Sequence, residues 1–398
     1  MINSQIKEEI SELSPEMKLM LLLSIREIGD KEKAAVREIL REKINWRLFV
    51  NIVEYNRIYP VVYKNIVKMK ELNEPEYVLS NLREKYKNNM LNLLKFTAEL
   101  IRLMDLMKKS KIRALPLKGP LLGINIYGDV SLRTSKDLDI LIHVVDMEKA
   151  EKILLKIGYR RTTPDFALTL KQKNIVIKKF HHYEYYNEKL NVQVELHWRY
   201  DSDCFIFDFE KIWEKRKSRL ILGNKIDVLS PEDNFVYLTF HGAKHGWFRL
   251  KWLCDTYEIV KKNKLDWKEV IEISENSQIS RMLFQTMILL QEIFKLDIPN
   301  IFGKLVIDNK KAYKLAQMAI PIIKNNKEVI YEPKSELYIH KKKYMIELNS
   351  EKNSKIKYIL QYFFPTMEDF KTIKLKDDYF FLYFIIRPFL WAYRFFTR

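Results

Sequence analysis

The sequence predicts an α+β fold, with a small mixed β-sheet core flanked by N- and C-terminal helical regions. Three observations carry this. Glycine is scarce, 9 of 398 residues, too few for the turns of a β-sandwich or propeller. Apolar residues recur at three-to-four spacing toward both ends, the period of a helix buried on one face. Between those ends lie short apolar and β-branched runs with the character of strands. With 47% apolar and 31% charged residues, the chain is a packed globular protein, long enough for two or three domains.

The N-terminal region, 1–84, reads as helices over 17–28, 31–43 and 46–68, with Ser14 and Pro15 as a helix start. The longest periodic segment is 76–110, where Leu93, Leu94, Leu100, Ile101, Leu103 and Met107 share a broad face. A core block spans 85–207. In it, 112–117 is a strand ending at Lys118-Gly119-Pro120, 120–127 a short helix, and 138–145 a β-branched strand. A helix over 147–158 closes on Gly158. Strand-like runs follow at 175–179, 183–186 and 191–198, the last two split by a hairpin signal at Asn187-Glu188-Lys189. A third region, 208–300, opens with a hairpin over 220–228 around Gly223-Asn224. Ser230-Pro231-Glu232-Asp233 then starts a capped helix, and helical periodicity continues over 249–262, 266–275 and 280–294. The last region, 301–398, reads as helical with loops at Pro333 and Pro365.

The charge balance, 70 Lys and Arg against 52 Asp and Glu, gives +18. It favours acidic partners (nucleotides, nucleic acid or an anionic membrane face) or is simply a basic surface. Cys204 and Cys254 are too few for a disulfide scaffold or zinc cluster, and a reducing cytoplasm is expected. No signal-peptide core is read in 1–12 and no transmembrane span anywhere. The nearest candidate, 379–396, is interrupted by Arg387, Pro388 and Arg394. It reads either as a terminal helix docked on the core or as an interfacial element in weak contact with an anionic surface. The phosphate loop, dinucleotide fingerprint, nucleophile elbow, zinc-protease and kinase motifs are all missing from the sequence.

Chemistry concentrates in the core block. Residues i and i+2 of a strand face the same way, so Asp137 and Asp139 project together while Leu138 and Ile140 enter the core. Gln193, Glu195 and His197 likewise share one face of a later strand. Three carboxylates on two strands that can be neighbours make a hard-oxygen cage suited to Mg²⁺ or Mn²⁺ carrying an NTP. The alternatives are turn-capping aspartates and an exposed glutamate paired with lysine. Arg133 and Ser135 can bind phosphate oxygens, or Arg133 can pair with Asp137 and orient it. His197 can orient a carboxylate, contact the nucleotide or be structural. Further on, His241 and His245 have zinc-compatible i, i+4 spacing, but no third ligand is visible. Lys244, His245, Arg249 and Lys251 form either a nucleotide- or acceptor-binding face or ordinary packing, with Asp255 placed to pair with them.

The Lys118-Gly119 turn, the Arg133 to Leu138-Asp139 segment, the Glu195-Leu196-His197-Trp198 strand and the His241-Gly242-Ala243-Lys244-His245-Gly246-Trp247 segment resemble a large, mostly uncharacterised bacterial nucleotidyltransferase family. It is part of the DNA polymerase β-like nucleotidyltransferase superfamily. The resemblance covers 86–299, with a weaker echo in 358–369. It implies transfer of a nucleoside monophosphate from ATP or another NTP to an unidentified hydroxyl acceptor (peptide, protein, saccharide or RNA) with release of pyrophosphate. Asp137, Asp139 and Glu195 would hold two divalent ions. Two departures stand out: Pro120 follows Gly119 where the superfamily turn carries serine or glycine, and Asp137 follows 18 residues later. Phosphate contact is then expected from backbone N–H groups and Lys118. The alternatives are phosphoryl transfer to a peptide or small-molecule hydroxyl, and a catalytically silent nucleotide- or RNA-binding protein.

Overall fold

The computed structural model describes residues 2–69, 72–201, 206–262, 264–325, 335–349 and 363–397. Cys204 and the 358–362 part of the C-terminal echo lie outside them. The chain forms two compact units. One comprises 1–101, 118–136 and 229–348; the other comprises 102–117, 137–228 and 349–398.

The second unit holds the sheets. Its strands are β1 (Ala114–Pro116), β2 (Asp137–Ile142), β3 (Arg160–Thr163), β4 (His182–Asn187) and β5 (Val192–His197), followed by a separate hairpin of β6 (Lys217–Ile221) and β7 (Asn224–Val228). The five-stranded sheet runs β1-β2-β5-β4-β3. Only β2 and β5 are parallel; every other pair is antiparallel. The fold is therefore α+β with a mixed sheet.

Register decides which residues meet. Leu138 pairs with Val194 and Ile140 with Leu196 across β2–β5, and Tyr185 and Tyr183 continue those rows on β4. These side chains are all buried, with Ile140, Val194 and Leu196 fully so. Each fully buried aliphatic stabilises the unit by about 1.5–3 kcal/mol, which pins the register because a one-residue slip would expose the whole row.

Two local expectations are corrected in this unit. Residues 175–179 are the end of a helix, Leu170–Lys179, and not a strand. Thr169 caps it through Gln172 N, and Gln172 answers to Thr169 N. Its last carbonyls are taken by Trp198 Nε1 and Arg199, both donating to Ile177 O. The edge strand β3, which the sequence did not announce, lies in a polar Arg-Arg-Thr-Thr run without apolar alternation.

The first unit is helical. The expected 46–68 helix is two, Trp46–Tyr55 and Tyr59–Lys68. Arg57 breaks it with φ of 55°, in the left-handed region, and Pro60 opens the second helix. Gly119, with φ 78° and ψ −147°, sits immediately before the helix Pro120–Tyr127, in backbone space open to glycine. In the helix Pro231–Lys244, Gly242 is demanded by packing, since a Cβ there would meet the Trp247 ring at 2.1 Å.

Candidate functional site

The face of the large sheet opposite the aliphatic rows carries the charged and imidazole side chains. Asp139 pairs with Glu195, and Glu195 with Glu184 on β4. One row along, His197 pairs with His182; one row back, Asp137 pairs with Gln193. The parallel β2–β5 pairing, which the sequence left open, sets Asp139 directly beside Glu195.

His197 joins the two carboxylates. Its Nε2 lies 3.1 Å from Asp139 Oδ1 and 3.2 Å from Glu195 Oε2. Asp139 is 2% exposed and His197 5%. Burial disfavours the imidazolium, but hydrogen bonds and charge from Asp139 and Glu195 outweigh it and hold the ring's pKa above its ordinary value. On β4, His182 Nε2 lies 3.5 Å from Glu184 Oε1 and 3.9 Å from Glu195 Oε2. The His182 hydrogen bond draws the Glu184 carboxyl below its usual range, and Thr163 Oγ1 donates to Glu184 at 3.1 Å.

The donor chemistry suits a divalent ion. Asp139, Glu195 and His197 each offer one ligand atom, all within 4.8 Å of one another. Carboxylate oxygens match Mg²⁺ and Mn²⁺, and the imidazole favours the softer of the two. The β4 residues His182 and Glu184 were missed by the sequence reading. The signal was available: His182, Glu184 and Tyr186 alternate with buried Tyr183 and Tyr185 just as the β5 residues do.

The remaining sequence-predicted residues belong to the helical unit. Arg133 is held by a buried ion pair, its Nε donating to Asp255 Oδ2 at 2.9 Å, while Tyr127 OH donates to Asp255 Oδ1 at 3.0 Å. Asp255 thus serves Arg133, and not the Lys244–Arg249 group. Arg133 Nη1 also reaches Gly119 O at 3.5 Å, linking it to the glycine turn. Ser135 and Arg249 line one cleft of about 820 Å³ with Lys136, Tyr55, Tyr59 and Asn89. The Arg249 guanidinium lies over the Tyr55 and Phe248 rings and donates to Tyr55 O.

Lys118, Lys244 and His245 form a separate group with His241. Desolvation, then Lys118 and the neighbouring cations, push the His241 pKa well below its ordinary value. Desolvation with Lys244, Lys341 and Lys118 does the same to His245. Burial lowers Lys341 to about 8. His245 stacks on Trp252 and His241 meets the same ring edge-on, and among the described residues no third metal ligand joins them.

The 379–396 segment contains a helix, Leu382–Thr397. Arg387 and Arg394 both donate to the fully buried Asp369, and Tyr383 OH donates to Ile373 O. Phe381, Phe389, Trp391 and Tyr393 are exposed. Among the described residues no helix is long and apolar enough to cross a membrane.

A family profile described as an uncharacterised nucleotidyltransferase matches residues 42–295. Among solved structures, the chain is similar to an antigenic nucleotidyltransferase-like protein from Paracoccidioides brasiliensis, with 16% identity and a TM-score of 0.29. The match covers 51% of this chain and 94% of that one. The comparison with curated proteins gives no match.

Proposed function

The chain belongs to this uncharacterised nucleotidyltransferase family, and from that membership we propose a metal-dependent transfer of a nucleoside monophosphate from an NTP to a hydroxyl acceptor, releasing pyrophosphate. The observation that carries the reading is the side-by-side pairing of Asp139 and Glu195, with Asp137 two residues before on the same strand.

Asp137, Asp139 and Glu195 hold Mg²⁺ or Mn²⁺ in this reading. A divalent ion there would offset repulsion between the carboxylates and the triphosphate and lower the pKa of the attacking hydroxyl. His197 keeps the Asp139 and Glu195 carboxylates at fixed separation, so little rearrangement is needed when the nucleotide arrives. The β2 and β5 backbones supply the rigidity that positional catalysis requires. In the helical unit, Lys118 and Lys244 form a cationic group of the kind that receives phosphate, and Ser135 and Arg249 line a polar cleft.

Incubation with Mg²⁺ and NTPs labelled at the α-phosphorus, in the presence of a cell extract, tests this. Mass spectrometry of the labelled product identifies the acceptor. Label transferred from the α-position, and lost in Asp139→Asn, is the expected result. Transfer only from the γ-position would replace nucleotidyl with phosphoryl transfer. Nucleotide or RNA binding without any transfer would make the protein a binding module.

A further inference from the structure

Three of the seven histidines meet at one end of the polar face. The His181 and His182 rings lie 4.5 Å apart, His182 and His197 4.9 Å, and His181 and His197 5.8 Å, centroid to centroid. Each ring offers one nitrogen, and the three nitrogens lie within 4.8 Å of one another. We propose that His181, His182 and His197 bind a first-row transition ion of the Zn²⁺ class, at a site distinct from the Asp137–Asp139 end that would take the nucleotide's metal. The inference stands on the imidazole triangle and does not require nucleotidyl transfer.

Two features favour a metal over simple packing. A metal-bound histidine gives one nitrogen to the ion and the other to a carboxylate or carbonyl, which fixes its tautomer. His197 and His182 each have Nε2 turned to carboxylates, Asp139 and Glu195 for one, Glu184 and Glu195 for the other. In both rings Nδ1 is buried and has no hydrogen-bond partner among the described residues. A buried imidazole nitrogen left without a partner is costly, about 1–3 kcal/mol. The pattern recurs on two adjacent strands at directly paired positions, so it follows from the sheet register.

The donor set also selects the ion. Imidazole suits Zn²⁺, Co²⁺, Ni²⁺ and Cu²⁺, whereas Mg²⁺ prefers oxygen. Zinc–nitrogen bonds of about 2.0–2.1 Å place tetrahedral ligands about 3.4 Å apart, which small side-chain rotations reach from the observed spacing. Because His197 touches both Asp139 and Glu195, an ion held by the imidazoles would also order the carboxylates beside it.

The test uses the full-length protein, stripped with a chelator and titrated with Co²⁺ while its visible absorption is followed, with metal content measured after Zn²⁺ loading. Expected is one saturable equivalent of Co²⁺, displaced by Zn²⁺, with His181→Ala and His182→Ala each weakening binding about tenfold or more. His143→Ala, at a histidine outside the triangle, should bind Co²⁺ like the wild type. Cooperative unfolding of the stripped variants guards against misfolding, and His182→Gln replaces an Ala variant that fails that check. Absence of a saturable Co²⁺ signal in the wild type, or wild-type Co²⁺ affinity in both histidine variants, overturns the proposal. Failure of the nucleotidyltransferase reading would appear elsewhere, as Mg²⁺ with ATP giving no added thermal stabilisation and no labelled product, and would leave the Co²⁺ result untouched.

Discussion

Arg133→Met decides between the two roles that the sequence left open for this residue. Arg133 and Asp255 are 4% and 1% exposed and 2.9 Å apart. Methionine fills much of the same volume but leaves Asp255 buried with only the Tyr127 hydroxyl, 3.0 Å away. Removing one partner of a buried ion pair costs about 3–5 kcal/mol, a large fraction of the roughly 5–15 kcal/mol that stabilises a typical domain. Replacing both charges with apolar groups is often neutral, so Arg133→Met/Asp255→Leu should recover to within about 1–2 kcal/mol of the wild type. Urea unfolding followed by circular dichroism measures all three forms. A single variant within about 1 kcal/mol of the wild type would refute the structural role assigned to the pair. The double variant then isolates the other role: if its fold is restored and Mg²⁺-ATP affinity is unchanged, Arg133 does not grip phosphate.

Glu195→Gln should cut turnover about a hundredfold, near 3 kcal/mol in the barrier, while leaving Mg²⁺-NTP affinity within a few fold; Asp139→Asn should damage both. Calorimetry beside a pyrophosphate-release assay separates the two quantities. His241 and His245 have folded-state pKa values below the unfolded 6.5, so the unfolded state binds more protons below that pH. Their contribution is complete above pH 6.5 and falls as the pH drops from 6.5 toward the folded values, by at most about 1.4 kcal/mol per pH unit for each ring. His245→Gln should therefore flatten the dependence of the urea midpoint between pH 5 and 6.5, and an unchanged slope would count against a buried neutral His245. Deleting residues 379–398 removes both arginines from the buried Asp369 and the Tyr383 hydroxyl from Ile373. Loss of cooperative unfolding is expected, whereas unchanged melting with lost binding to anionic vesicles would make the segment a surface anchor.

What was legible in the sequence was legible through period. Polar and apolar residues alternate over Asp137–Ile140 of β2 and Val192–His197 of β5, so the set Asp137, Asp139, Glu195 and His197 and the set Leu138, Ile140, Val194 and Leu196 both follow from spacing two. The helix Pro231–Lys244 announced itself through Ser230, which accepts from Asp233 N at 3.0 Å. Period failed where the signal is not local. Ile175, Val176 and Ile177 look like a strand until Thr169 and Gln172, six and three residues before Ile175, are seen to cap a helix. Arg57 breaks a helix that apolar spacing alone would run through. The Arg133–Asp255 pair joins residues 122 apart, and no window along the chain contains both.

The same limit explains the histidines. Periodicity places His182 and Glu184 on one face of β4, yet which face of the sheet that is depends on how β4 pairs with β5. Antiparallel pairing around the Asn187–Asn191 turn sets His182 opposite His197 and Glu184 opposite Glu195. A one-residue slip of β4 would have put Tyr183 and Tyr185 beside the carboxylates and turned His182 and Glu184 toward the core. That alternative is disfavoured by the burial of Tyr185, Val194 and Leu196, residues with no chemistry of their own. The apolar rows therefore select the register, and the register gathers six ionisable residues from three strands onto one face. Val194→Asn leaves every proposed ligand in place, yet it should lower the Co²⁺ affinity read by the titration above if the apolar row holds the register; unchanged affinity would refute that link.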